Sequence, residues 1–477
     1  MFEGKGMKLY ACIFSSMDTL VRKIREGENK ILISLVILVS LFYCFLAKFP
    51  KHGDFYSMNY ASILFSQGHL DFYRELLINQ HMPLGLNPYP PLFFIIEGSW
   101  LKFINLFFGV NWNGVVTGDI SSYPSNFPIL GIIPYLVALF LLVIISYSTL
   151  KNKWLCFLGF GTFSFVSIII MGQIDIFCSL FIFLSLIFFI RGINDKNSRF
   201  DSFFSYLLLG ISMTIKPFGG LLLPVYIIVS YYLLKSRIVP NITLFKESLL
   251  LFGALCLGYG IIWLPYLSYM IPIISFSESS WLLNLQIAPV QLPPFHTLSL
   301  WLLGYIVILY DLFKKIPATG KDRMDKMFLF YAFTSLAWFF ITVYTHPQWW
   351  VLLIPVFLLV LDNFRSILNH VFYVLISALF LLYTLQWTNN IDLILKSYIP
   401  IVSVAGDFSI GVVTVISAIL ILWILELRQE NYEPSREGRQ GEHDVFAGKQ
   451  PLSCKLAPLL PVFLIAFLFL VHQLFHS

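Results

Sequence analysis

Asp54 stands about one turn beyond an apolar run, in KFPKHGDFYSMNYA, where flanking membrane-seeking segments would hold its carboxylate at a fixed depth. A partly desolvated carboxylate there could act as general base on an acceptor hydroxyl; an ordinary interfacial or helix-capping Asp is the plainer alternative. His346, in THPQWW, follows one apolar run and precedes another; its imidazole could donate to a phosphate at headgroup depth, with Trp349 and Trp350 as interface anchors or walls for a sugar or lipid. A turn residue satisfied by local backbone is the plainer alternative. MGQID, residues 171–175, reads as a tight hairpin that sets Gln173 and Asp175 on one membrane face. Lys216 lies in TIKPFGG, where Pro217 and the glycine pair must break a helix on that same face. Charges at such a depth are costly and mark a pathway, a ligand or a pair, and a plain Asp175–Lys216 ion pair is the structural alternative.

The elements that would position these groups are apolar. The chain has 477 residues, 58% hydrophobic and 12% charged, with 48 Phe and a mean hydropathy of +0.79. A soluble domain carries about 25% charge, so the composition describes an integral membrane protein. Its apolar runs are too long and too continuous for barrel strands. The expected class is an all-α polytopic membrane protein of about 13 transmembrane helices. The runs lie at 30–48, 128–149, 154–171, 174–190, 202–218, 219–234, 248–270, 298–313, 327–345, 347–361, 369–388, 408–427 and 456–474. With the N-terminus cytoplasmic, 25 of the 31 Lys and Arg fall in cytoplasmic segments and 5 outside, as the positive-inside rule requires.

PLFFIIEGSWLKFINLFFG, residues 91–109, is long enough to span but carries Glu97 and Lys102, and counting it as a span would send the basic loops outside. It is therefore expected as an interfacial helix within a first outer loop of residues 50–127. The aromatic and polar mixture of that loop suits the headgroup zone. Pro90 and Pro91, in NPYPPLFF, set the start of that helix. The domain reading is a cytoplasmic segment at 1–29, a transmembrane catalytic domain at 30–427, a cytoplasmic linker at 428–455 and an anchor at 456–477. The six cysteines show no paired spacing, so neither a disulfide framework nor a zinc site is expected. No phosphate-binding glycine loop, HExxH or GxSxG occurs, and the modest positive charge is spent on loop orientation, so no nucleic-acid partner is expected.

HGDFYSMNYA, NPYPPLFFIIEGSW, MGQID, TIKPFGGLLLP and THPQWWVLLIP, in that order over residues 30–365, resemble the GT-C superfamily of membrane glycosyltransferases that use polyprenyl-phosphate sugars. Within it the similarity is greatest to the dolichyl-phosphate-glucose glucosyltransferases of N-glycan assembly and, more loosely, to bacterial polyprenyl-phosphate-mannose mannosyltransferases. The resemblance implies a GT-C fold, Asp54 as catalytic base and His346 on the donor phosphate, with Lys216 and Arg74 as further phosphate partners. It implies Tyr56, Tyr89, Gln173, Asp175, Gln348 and Trp349 as substrate-binding residues. The implied reaction is inverting transfer of a hexose, mannose or glucose, to a lipid-linked glycan or glycolipid acceptor at the extracytoplasmic or lumenal face. The partners are then the polyprenyl-phosphate sugar donor, that acceptor and membrane lipid, and a monomer is expected. Residues 171–175 lack the histidines of the glucosyltransferases, so the sugar and the acceptor stay open. No aspartate-x-aspartate motif surrounds Asp54; no cofactor is expected, with a divalent metal left open. The competing class is a polytopic transporter or lipid flippase, in which Asp175 and Lys216 would be pathway charges; it predicts polar residues through the middle of several helices.

Overall fold

A computed structural model describes residues 30–46, 53–78, 89–116, 119–153, 155–160, 169, 172–194, 199–236, 241–271, 289–292, 295–320, 323–342, 347–364, 366–387 and 407–432. The N-terminal segment, most of the expected 154–171 span, the loop after 387, the linker beyond 432 and the 456–474 anchor lie outside the described residues.

Helices make the fold. They are α1 Lys30–Leu46, α2 Gly53–Ser66, α3 Phe72–Ile78, α4 Leu92–Phe108, the single turn α5 Phe127–Leu130, α6 Ile133–Thr149, α7 Leu155–Phe160 and α8 Asp175–Asn194. There follow α9 Arg199–Met213, α10 Leu223–Ser236, α11 Asn241–Trp263, α12 Leu300–Lys315, α13 Met324–Thr342, α14 Ile354–Asn363, α15 Ile367–Trp387 and α16 Asp407–Tyr432. Among the described residues the departure from an all-α chain is one hairpin, β1 Pro289–Leu292 antiparallel to β2 Phe295–Ser299, with Val290 opposite Leu298 and an irregularity before Leu292. It falls where the sequence reads as a loop between two spans.

Among the described residues four helical stretches are long and apolar enough to cross a membrane: Phe127–Thr149, Asp175–Asn194, Phe245–Ile271 and Met324–Thr342. Such runs favour helices in lipid because every backbone polar group is satisfied within the segment. Their burial differs. α8 and α13 are enclosed on nearly every side by other helices, whereas Phe245, Leu249, Phe252, Leu257 and Ile261 of α11 face outward, as a lipid-exposed face would.

The helices run back and forth between two ends of one bundle. At one end the loop after α6 is clasped by α14: the backbone N–H groups of Lys151 and Asn152 donate to the Asp362 carboxylate at 3.0 and 2.9 Å. Lys315, at the end of α12, reaches Asp311 there at 3.0 Å. At the opposite end α8 starts, α9 stops and α13 gives way to a 3-10 turn, Pro347–Leu352. α2 and α4 pack against each other at this second end, and α4 spans Leu92–Phe108, where the interfacial helix is expected.

Candidate functional site

Two breaks in helical structure build the site. α9 stops at Met213, short of the expected span end, and a 3-10 turn, Pro217–Leu221, begins before α10. Lys216 lies between them with φ −148° and ψ 144°. Pro217 dictates that conformation, since the proline ring excludes the preceding residue from helical angles. The extended backbone throws the Lys216 side chain sideways, across to the start of α8.

There the chain turns at Gly172, in the left-handed region at φ 65°, and enters α8 at Asp175. Lys216 Nζ donates to both Asp175 carboxylate oxygens, at 2.8 and 2.9 Å, with the side chains 5% and 0% exposed. The carboxylate also sits at a helix N-terminus, where the backbone dipole favours negative charge. Two rings flank the ammonium: Tyr89 at 5.2 Å and Trp349 at 5.8 Å from Nζ to the ring centroids, within cation–π range.

Each ring is held from elsewhere. The Tyr73 hydroxyl on α3 donates to the Tyr89 carbonyl at 2.6 Å, and the Leu92 N–H, freed by the two prolines before it, donates to the Thr214 carbonyl at 3.4 Å. Trp349 rides on the 3-10 turn, which Ser179 of α8 secures by donating to the Val351 carbonyl at 3.0 Å; Phe218 packs edge-on to its ring at 5.3 Å. The sequence singled out neither Tyr73 nor Ser179, because bonds from a side chain to a distant backbone carbonyl leave no periodic signature.

Asp54 is the second residue of α2; its side chain lies outside what is described. The next residue ties it to the site. Phe55 is fully buried, 5.5 Å from Phe127 and 6.0 Å from Tyr135 between ring centroids, and it lies so close over Gly172 that a Cβ there would collide with its ring. Thus the start of α2 and the turn before Asp175 are neighbours.

Of the expected site residues, Tyr89, Asp175, Lys216 and Trp349 come together. Gln173 is buried in the hairpin two residues before Asp175. Gln348 shares the 3-10 turn with Trp349, its side chain undescribed, and His346 just before that turn lies outside the described residues, as does the Asp54–His346 separation. Arg74 is exposed on α3, in electrostatic reach of Tyr269, whose hydroxyl donates to Asp71 at 3.2 Å. Tyr56, expected to line a substrate site, is 8% exposed and packs edge-on to Tyr123, whose hydroxyl donates to the Tyr56 carbonyl at 2.8 Å. Its ring fills the core under the first loop.

Chemically the cluster offers an ion pair in a low-dielectric setting with one ammonium N–H beyond the two that Asp175 accepts. Both Asp175 oxygens are taken, and among the described residues no group of three His, Cys, Asp or Glu side chains is arranged to hold a metal. Compared with known protein families, curated proteins and solved structures, the chain matches none of them.

Proposed function

We propose that the chain is an inverting membrane glycosyltransferase of GT-C type, with thirteen spans. It moves a mannose or glucose from a polyprenyl-phosphate sugar to a lipid-linked glycan or glycolipid on the extracytoplasmic side, where the Lys216 end of the bundle lies. The observation that carries the reading is the meeting, at one end, of a buried lysine bridged to a carboxylate, two aromatic walls on separate segments, and the first turn of α2, which holds Asp54. A lipid phosphate needs its charge neutralised to leave, and a flat sugar face needs rings to stack on.

In this reading the remaining Lys216 N–H and the His346 imidazole bind the donor phosphate, with Arg74 as a further phosphate partner. The acceptor oxygen attacks the anomeric carbon and gives its proton to Asp54. The bond from that carbon to the phosphate oxygen breaks with its electron pair, so polyprenyl phosphate leaves and the configuration inverts. Tyr89 and Trp349 wall the sugar, while Gln173, Asp175 and Gln348 border it.

The test is a panel of polyprenyl-phosphate sugars and lipid-linked acceptors offered to the purified protein in lipid discs. Asp54→Asn should lower transfer by about 10²–10⁴-fold in a folded protein, and undiminished turnover by that variant removes Asp54 as base. His346→Ala should raise the donor KM and leave the acceptor KM in place. Should no donor react while vesicles carrying the protein move a polar lipid across the bilayer, the transporter reading takes over. Single cysteines at positions 121 and 435 should label from opposite sides of the membrane; labelling from one side would overturn the placement.

A further inference from the structure

Glu97 interrupts the apolar run of α4, and the close approach of α2 buries it. A Cβ on Gly98 would lie 2.7 Å from the Ser62 carbonyl oxygen, so the two backbones meet there only because residue 98 is glycine. Glu97 is fully buried, and neither carboxyl oxygen has a hydrogen-bond partner among the described residues. On the helices packed here, Asn59 Oδ1 and Ser62 Oγ of α2 are buried polar atoms that accept or donate no hydrogen bond among the described residues. The Tyr135 hydroxyl lies in hydrogen-bond reach of the Asn59 side chain and in electrostatic reach of Glu97, Tyr89 and Asp175, so the set borders the Lys216 cluster.

The charges nearby offer Glu97 no relief. Lys216 is committed to Asp175, and Asp175 is itself an anion. An ionised carboxylate here would have neither cation nor N–H donor among the described residues, at a cost of several kcal/mol or more, whereas a proton neutralises it and needs no space. We propose that Glu97 is a proton-binding site: the side chain is carried as the neutral acid between α2, α4 and α6, and its proton fastens α2 to α4. Burial pushes this carboxyl well above the ordinary carboxylate range, in keeping with the geometry. Because the folded protein holds the proton more tightly than the unfolded chain, the stability it lends is complete below the ordinary carboxylate range. It is lost as pH rises toward the folded value. The inference stands apart from glycosyl transfer, since it concerns the packing of the first outer helices whatever reaction they serve.

The test uses the full chain in lipid discs. Wild-type Tm should fall as pH is raised from about 5 to about 9, and Glu97→Gln, which keeps shape and removes the titration, should flatten that fall. Infrared spectra at neutral pH should show a protonated-carboxyl band that shifts with isotope-labelled glutamate and vanishes in Glu97→Gln. The same spectrum and the same pH profile in both proteins would overturn the proposal. So would a Tm raised by sodium or magnesium in the wild type alone, which would assign the site to a metal cation. If Glu97→Gln does not fold, the labelled wild type decides: the glutamate band present at neutral pH supports the proton, and its absence refutes it.

Discussion

The two ends of the bundle each carry a lysine–carboxylate pair, and the pairs look alike by distance. Lys216 meets Asp175 at 2.8 Å and Lys315 meets Asp311 at 3.0 Å. Their surroundings differ. The first pair is 5% and 0% exposed, between aromatic rings; the second is 27% and 34% exposed, joined one helical turn apart and shared with the Tyr331 hydroxyl at 2.7 Å. A short N–O distance therefore does not measure what a pair does. At the Lys315 end both side chains are partly open to solvent, and a pair of that kind contributes about 0–1 kcal/mol. At the Lys216 end each charge depends on the other, and such an arrangement persists where a buried charge has work to do.

The widest separation between the ends concerns activity. Asp54→Asn should cut sugar transfer by about 10²–10⁴-fold, while Asp311→Asn at the far end should leave the rate within a factor of about two. Equal losses in the two variants would mean that the ends are not functionally distinct. Next comes stability. Lys216→Met strands the Asp175 carboxylate and should cost about 3–5 kcal/mol in unfolding measurements, against about 0–1 kcal/mol for Lys315→Met. Joining Asp175→Asn to Lys216→Met should recover much of that loss, because no uncompensated charge is then left inside. The smallest effect is ionic. Raising salt should erode the contribution of Lys315 and leave that of Lys216 intact, and equal sensitivity would put water at both pairs.

Much of this arrangement was legible in the sequence. Pro217 and the glycines after Lys216 mark a helix break, and the structure ends α9 at Met213 and restarts at Leu223. The prolines before Leu92 mark a helix start, and α4 begins there. The ion pair between Asp175 and Lys216 was one of two readings open for those residues, and it forms. What escaped the sequence was long-range. Nothing local in FYREL tells that the Tyr73 hydroxyl reaches the Tyr89 carbonyl, and nothing in PKHGDFYS separates Phe55, which seats against the hairpin, from Tyr56, which fills the core. The cost of Glu97 in lipid argues for an interfacial helix. The close packing at Gly98, which seals it from solvent, depends on a helix thirty-odd residues earlier in the chain.

Phe55 acts as an alignment pin. Its ring is seated over Gly172, where any side chain beyond hydrogen would strike it, so the residue before the pin and the hairpin past the socket share one gauge. Position 54 cannot drift relative to Asp175 unless the pin lifts out. Alteration of either half therefore misregisters the other: Gly172→Ala would shift the start of α2 without touching a single charge.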